Sequence, residues 1–340
     1  MKYRTKKNLP FRHLYRITML ICFGVFLCIG LAACKKQTIQ EPIYITDIQK
    51  AYTYSEAYYT NLRTYKKSDH QVLFSWIALD SHGPSWGNHP WGLPDSIDIV
   101  SMWGDGGLDD ADNLRAIDST RKLKGTRFVA VSIIGAQFDG IPEDTPVKEA
   151  IAIAVKRMVN HVYKYGLDGY DIDYEPNLAP DALAQKYIGT PENLSIFIKE
   201  LSRFLGPKSG TGKLLILDGE IDKVPPELGP YFDYLVAQAY FTTGPGSLQG
   251  RYDAVSKVIP PEKFIVTEEY QKFYTGLYDD NTPNTAAGPI PSLLGMAWWQ
   301  PAQGRKGGCG AYHGEIDYNA TSQYNTIRRA IQIMNPAAIK

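Results

Sequence analysis

Beyond about residue 68 the chain alternates short apolar runs with longer stretches whose apolar residues recur at helical spacing. That is the pattern of parallel strands joined by crossover helices. Eight runs read as strands: Val72–Ala78, Ile97–Trp103, Arg127–Ile134, Gly169–Glu175, Leu214–Leu217, Tyr234–Tyr240, Phe264–Glu268 and Leu294–Trp299. Between them, Ile151, Ala154, Val155, Met158 and Val162 form one stripe of a helix over Val147–Tyr165, and Asn193–Leu205 and Ser322–Met334 read the same way. Eight strands are what a closed (β/α)8 TIM barrel needs, so the expected fold class is α/β with a single barrel domain over 69–340. Strand counting alone leaves a doubly wound open sheet in play.

The fourth strand candidate, within Leu167–Glu175 (LDGYDIDYE), sets Asp171, Asp173 and Glu175 at alternate positions. Alternate residues of a strand share a face, so the three acids project into one space while Tyr170, Ile172 and Tyr174 enter an apolar layer on the other side. A spaced row of mutually repelling acids on a strand that otherwise reads apolar points to carboxylates placed for proton transfer or metal binding. The alternative is a polar strand end. Barrel enzymes work at the C-terminal ends of their strands. Glu175 closes the fourth candidate strand, Trp103 the second, Gln238 and Tyr240 the sixth and Trp298 the eighth, with Trp76 near the end of the first. Each aromatic could be barrel packing; gathered at one rim, they read as the walls of a carbohydrate cleft.

LDGYDIDYE matches every position of the DGxDxDxE signature, and the chain is identified on it as a member of glycoside hydrolase family 18, which holds chitinases and endo-β-N-acetylglucosaminidases. Ser132–Gly135 (SIIG) is similar to the family's SxGG segment on strand three, and Met296-Ala297-Trp298 to its closing strand with a substrate-stacking tryptophan. The resemblance covers roughly residues 69–337. It implies that Glu175 is the general acid, that Asp173 orients the substrate's acetamido N–H, that Asp171 shares a proton with Asp173, and that Tyr240 hydrogen-bonds the acetamido carbonyl, which is itself the nucleophile. Neighbouring aspartates disfavour ionisation of the acid. Trp76, Trp103, Gln238 and Trp298 are the expected substrate-binding residues. Where chitinases carry MxYD on strand six, this chain reads Gln238-Ala239-Tyr240-Phe241. That departure favours an endo-β-N-acetylglucosaminidase acting on the N-glycan core over a chitinase or a catalytically silent glycan-binding barrel. The chemistry calls for no cofactor and no metal.

The N-terminus changes the setting. Lys2, Arg4, Lys6, Lys7, Arg12 and Arg16 precede an apolar run from Ile17 to Gly30, and Leu31-Ala32-Ala33-Cys34 resembles a bacterial lipobox. Residues 1–33 are therefore expected to be a lipoprotein signal peptide, Cys34 the lipidated residue, and 34–68 a polar tether, with the protein held at the outer membrane or cell surface. The formal net charge is +0 and basic residues form no run past the leader, which argues against nucleic-acid partners; the expected partners are N-glycans and the membrane, and the expected state a monomer. Cys309 reads as a thiol in a Gly-rich loop. GPKSGTGK over Gly206–Lys213 lacks the glycine and hydroxyl positions of a phosphate-binding loop, and Asp80, His82 and His89 lack compact metal-ligand spacing.

Overall fold

The computed structural model describes residues 54–79, 86–104, 107–177, 182–278, 289–320 and 322–336. The leader, Cys34, most of the expected tether, Asp80 and His82 lie outside the described residues. Eight parallel strands close a barrel: β1 (Val72–Ile77), β2 (Ile99–Met102), β3 (Arg127–Ile133), β4 (Gly169–Tyr174), β5 (Leu214–Gly219), β6 (Tyr234–Gln238), β7 (Phe264–Glu269) and β8 (Gly308–Tyr312), with β8 pairing to β1. The fold is therefore the (β/α)8 barrel and not the open sheet. Tyr59 and Leu62 of helix α1 (Glu56–Lys67) are buried, and its Lys66 Nζ donates to Ile97 O and Thr126 Oγ1, so the end of the expected tether belongs to the barrel unit.

Strand alternation sorts the core into two layers. Val72, Phe74 and Trp76 of β1, Ile99, Val129, Val131, Leu214, Ile216, Val236 and Ile265 fill the barrel interior. Their neighbours in sequence, Leu73, Phe128 and Leu215 among them, face the helices outside, as do Tyr170, Ile172 and Tyr174 of β4, as the alternation predicts. Helix α2 (Ala111–Lys124) is capped by Asp110, whose carboxylate accepts from the N–H groups of Asp112 and Asn113. Helix α3 (Val147–Lys164) buries the predicted stripe of Ile151, Ala154, Val155, Met158 and Val162. Gly206–Lys213 is a turn leading from a helix into β5.

Three aspartates register the lower rim. Asp98, Asp168 and Asp233 each stand one residue before an even strand and accept the second N–H of the preceding odd strand: Leu73 at 2.8 Å, Phe128 at 2.9 Å and Leu215 at 2.8 Å. Each also donates its own N–H to the carbonyl of that same residue. Asp168 is further gripped by Arg121 Nε and Nη2, so its role is structural.

The eighth strand differs from expectation. Leu294–Trp299 does not form it; Ser292–Trp298 is a helix (α4), and the strand is Gly308–Tyr312, so Cys309 is a buried strand residue rather than a loop thiol. The run LLGMAWW has no period that separates buried helix from buried strand. The true strand is hidden by its glycines, which the geometry demands: a Cβ on Gly308 would lie 2.0 Å from Val72 O, and one on Gly310 1.7 Å from Phe74 O. Below the strand, Lys306 is fully buried and donates to Gln71 Oε1 (3.0 Å), Ala297 O (3.0 Å) and Trp299 O (2.7 Å). Burial pushes its ammonium down to about 8.

Gly310→Ala is expected to lower the unfolding free energy by about 3 kcal/mol, the upper end of the usual overpacking cost, since strand β1 must move to admit the methyl group. Gly250→Ala, in the exposed helix Pro245–Val255 with open space around it, is expected to be stabilising by up to about 1 kcal/mol. Chemical denaturation of the two variants checks both signs.

Candidate active site

The barrel brings the fourth-strand acids to its interior. Asp171 is completely buried and Asp173 is 5% exposed. Asp171 Oδ2 accepts from Trp76 Nε1 of β1 (2.9 Å) and from Ser101 Oγ of β2 (2.7 Å). Burial raises its carboxyl to about 6, against hydrogen bonds from Ser101, Asp218 and Trp76 that pull it down. Asp173 lies one pleat higher, beside Ile133 of β3 and Asp218 of β5. Glu175 follows the end of the strand, and its place is set from below and behind. Gly219, at φ +84, has no room for a Cβ, which would meet Tyr174 O at 2.5 Å and Glu175 Cγ at 2.9 Å. Glu220 then holds the chain after the acid, accepting from Asn177 N (3.0 Å) and Asn177 Nδ2 (2.5 Å).

Tyr240 arrives from the end of β6. Its hydroxyl is driven strongly upward, by burial first and then by the charges of Asp218 and Asp173, with Tyr312 and Glu175 adding to the effect. It is a neutral phenol placed among carboxylates, able to donate a hydrogen bond to a substrate oxygen. Gln238 is half-buried, and its amide donates to Asp218 Oδ1 at 2.7 Å. Phe241 takes a left-handed conformation (φ 60), unusual for a bulky residue; its N–H donates to Glu268 Oε1 (2.8 Å), while Ser292 Oγ bonds the other carboxylate oxygen. That clamp fixes the turn directly after Tyr240.

The aromatic residues divide. Trp103 stands at the rim of β2, edge-on to Tyr312 with ring centroids 5.1 Å apart. Trp76 is corrected: it is 2% exposed, and its indole N–H is spent on Asp171, so it supports the acid beneath the cleft rather than lining it. Trp298 is corrected as well. It is 51% exposed at the end of α4, and Trp299 packs against Phe264, the first residue of β7, so the segment ends at the N-terminal side of the barrel, opposite the acids. The residue that closes the real eighth strand is Tyr312, whose ring meets Trp76, Trp103 and Tyr240 at 6.2, 5.1 and 6.2 Å between centroids. Ser132 of the SIIG segment faces outward to the Tyr170 hydroxyl (2.8 Å), and Ser101 is the serine that reaches the acids. His89 caps a short turn through Trp91 N, which leaves its ring a structural role.

Asp218, Gly219, Glu220 and Tyr312 were missed in the sequence. LDGE at Leu217–Glu220 repeats the Asp-Gly and alternating-acid texture of the fourth strand in miniature, and that echo was the available signal for the first three. For Tyr312, the alternation Gly308, Gly310, Tyr312 around Cys309 and Ala311 is a strand pattern with its inward side chains reduced to hydrogen.

Acids at the C-terminal end of a barrel strand, a glutamate closing that strand, a neutral tyrosine opposite and aromatic walls define a barrel glycosidase. The family model for glycoside hydrolase family 18, BT1044-like, matches residues 38–333, and the chain belongs to that family. It is 29% identical over 319 residues to endo-beta-N-acetylglucosaminidase F2 of Elizabethkingia meningoseptica, covering 84% of this chain and 88% of that protein. It is also 29% identical over 229 residues to endo-beta-N-acetylglucosaminidase EndoS of Streptococcus pyogenes serotype M1, covering 56% of this chain and 23% of that much longer protein. Among solved structures, a glutamate-to-glutamine variant of BT1044 in its selenomethionine form superposes with a TM-score of 0.71 at 24% identity, covering 83% of this chain and 93% of that one. The endo-beta-N-acetylglucosaminidase of Cordyceps militaris in apo form follows at 0.65 and 24%, covering 84% and 97%; at these identities both likenesses speak for the fold.

Gly219→Ala is expected to displace Glu175 and lower kcat roughly 100-fold, because small misplacements of a reacting group have effects of that order. Unchanged kcat in a folded variant would show that Glu175 does not depend on the space above Gly219. The raised Asp171 carboxyl has a sign for stability: the folded chain holds a proton there that the unfolded chain releases above about 4. Its stabilising contribution is present below that pH and lost as pH rises through about 6. The stability gap favouring Asp171→Asn over the native chain should therefore open between about pH 4 and 7 by roughly 1 to 3 kcal/mol, as read by denaturation at each pH.

Proposed function

We propose that this protein is an endo-β-N-acetylglucosaminidase that hydrolyses the GlcNAc-β1,4-GlcNAc core of N-glycans with retention of configuration. The observation that carries this reading is the juxtaposition of Asp173, Glu175 and Tyr240 over a buried Asp171, with Gln238 and Phe241 flanking the tyrosine. The resemblance to two enzymes named as endo-beta-N-acetylglucosaminidases supports it. Glu175 protonates the glycosidic oxygen as the C1–O bond breaks. The acetamido oxygen of the same sugar closes on C1 from the other face, and Tyr240 hydrogen-bonds that oxygen. Asp173 takes the acetamido N–H and stabilises the oxazolinium charge. Water, activated by the now ionised Glu175, opens the ring and restores the acid. Only a sugar with an N-acetyl group at C2 supplies the nucleophile, so the subsite before the cleaved bond holds N-acetylglucosamine.

The N-terminal segment adds a setting to this reading: lipidation at Cys34 would tether the barrel at the outer membrane or cell surface, next to glycoproteins too large to cross an envelope. Trp103 and Tyr312 are the aromatic faces assigned to sugar contact, and a single barrel working as a monomer suffices for the chemistry.

Mass spectrometry of glycans released from a panel of N-glycoproteins, with chitin oligomers in parallel, tests the substrate. Glycans ending in one N-acetylglucosamine are expected; cleavage confined to chitin oligomers overturns the glycan-core assignment in favour of chitinase action. Glu175→Gln is expected to abolish turnover while leaving glycan binding measurable by calorimetry. Asp173→Asn should lower kcat by at least about 100-fold, and a rate within about threefold of native would exclude substrate assistance through this residue.

A further inference from the structure

Of the buried titratable groups that the mechanism does not use, Asp218 is the one that lies among the catalytic acids. Asp218 is 1% exposed on β5, on the inward face that continues Leu214 and Ile216, with Asp173 as its neighbour across the sheet. Asp171 approaches it as well, near enough for the two carboxyl groups to act on each other. Three carboxyl groups thus share one dry space. Acting on Asp218 are Asp171 and Asp173 from β4, with Tyr240 near from the end of β6 and Glu175 against the neighbouring Gly219, and among the described residues no Lys, Arg or His figures among the groups acting on it. Charges so placed cannot all be ionised, and at least one proton must stay in the cluster.

The hydrogen bonds say where. Asp171 Oδ2 takes two donors, the Trp76 indole and the Ser101 hydroxyl, which favour its anion. Asp218 takes one, the Gln238 amide, on Oδ1. The remaining oxygens, Asp171 Oδ1 and Asp218 Oδ2, are buried and meet no N–H or hydroxyl donor. A proton on Asp218 Oδ2, donated to Asp171 Oδ1, satisfies both atoms at once and leaves the carboxyl with more donors as the anion. Burial first, then the charges of Asp171 and Asp173, push Asp218 well above the ordinary carboxylate range, in agreement with this placement.

We propose that Asp218 is a positioning residue that keeps the cluster's resident proton and donates it to Asp171, so that Asp173 stays ionised to receive the acetamido N–H. Without it, the one proton that Asp171 and Asp173 must hold is shared between them, and Asp173 is partly neutralised before substrate arrives. Gln238 is the outer member of the same chain: its amide donor fixes the rotamer of Asp218, and the glutamine standing where chitinases carry methionine follows from the need to anchor a third acid.

The catalytic half of this inference rests on the substrate-assisted reading above; the location of the proton does not. Infrared difference spectroscopy of the full protein against Asp218→Asn at neutral pH, without substrate, is expected to show a protonated-carboxyl band in the native protein that the variant lacks. A difference spectrum in which no protonated-carboxyl band is lost, the band of the acid Glu175 being common to both proteins, overturns the proposal whatever the enzyme cleaves. In pH profiles on an N-glycoprotein, Asp218→Ala is expected to move the acid limb of kcat/KM up by about one pH unit and to lower kcat on the order of tenfold. Asp218→Asn, whose amide can donate to Asp171 as the acid does, is expected to return the limb to its native position. An unmoved limb in the alanine variant, or an equal displacement in both, overturns the positioning role.

Discussion

Carboxylates resist leaving water, and the upper half of this barrel is organised around several that have done so. Asp171 is completely buried, Asp218 nearly so, and Asp173 only slightly exposed. An unpaired ion there would be prohibitive, and no cation compensates among the described groups acting on Asp171 and Asp218. The barrel instead supplies neutral donors one by one: an indole from β1, a hydroxyl from β2, an amide from β6. Each of those strands sends a polar side chain inward at this level to solve that problem. The aromatic residues above them, Trp103, Tyr240 and Tyr312, close the same space from the solvent side.

How much of this could be read beforehand depended on periodicity. Strand β4 announced itself because its polar and apolar residues alternate without interruption, and position followed from the strand: acids inside, Tyr170 and Ile172 outside. Helix Val147–Lys164 was equally plain from its stripe. The α4 segment carried no such signal, because a helix buried on nearly every side and a buried strand are both simply apolar. The misplacement of Trp298 followed from that ambiguity and not from any fault in the rule about strand ends. Trp76 failed differently: its strand was right and its face was right, but sequence does not tell a tryptophan that touches ligand from one that spends its N–H on a neighbour.

The residues that went unread share a property. Asp218, Gly219 and Glu220 act on the fourth-strand acids from the adjacent strand, 43 to 49 residues further along the chain. No local spacing links them to Asp171, Asp173 or Glu175; only strand pairing does. Gly219 is informative as a void, since its missing side chain is where Glu175 lies. A catalytic group's position was thus encoded partly by an absence in another strand.

The aspartate clamps of the lower rim leave one of the four odd-to-even strand pairs, β7 and β8, without one. Asp98, Asp168 and Asp233 tie β1 to β2, β3 to β4 and β5 to β6, whereas Gly307 stands at the corresponding place before β8. The seam where the cylinder joins its two ends, β8 against β1, has no such clamp among the described residues either and is keyed by shape. Gly308 and Gly310 are the residues that can face Val72 and Phe74 at such close approach. A slip of one residue would turn Cys309 and Ala311 inward against those carbonyls, where no side chain fits. Two missing side chains make the closing joint self-aligning, and the aromatic ring that follows them, Tyr312, is delivered to the rim in one register only.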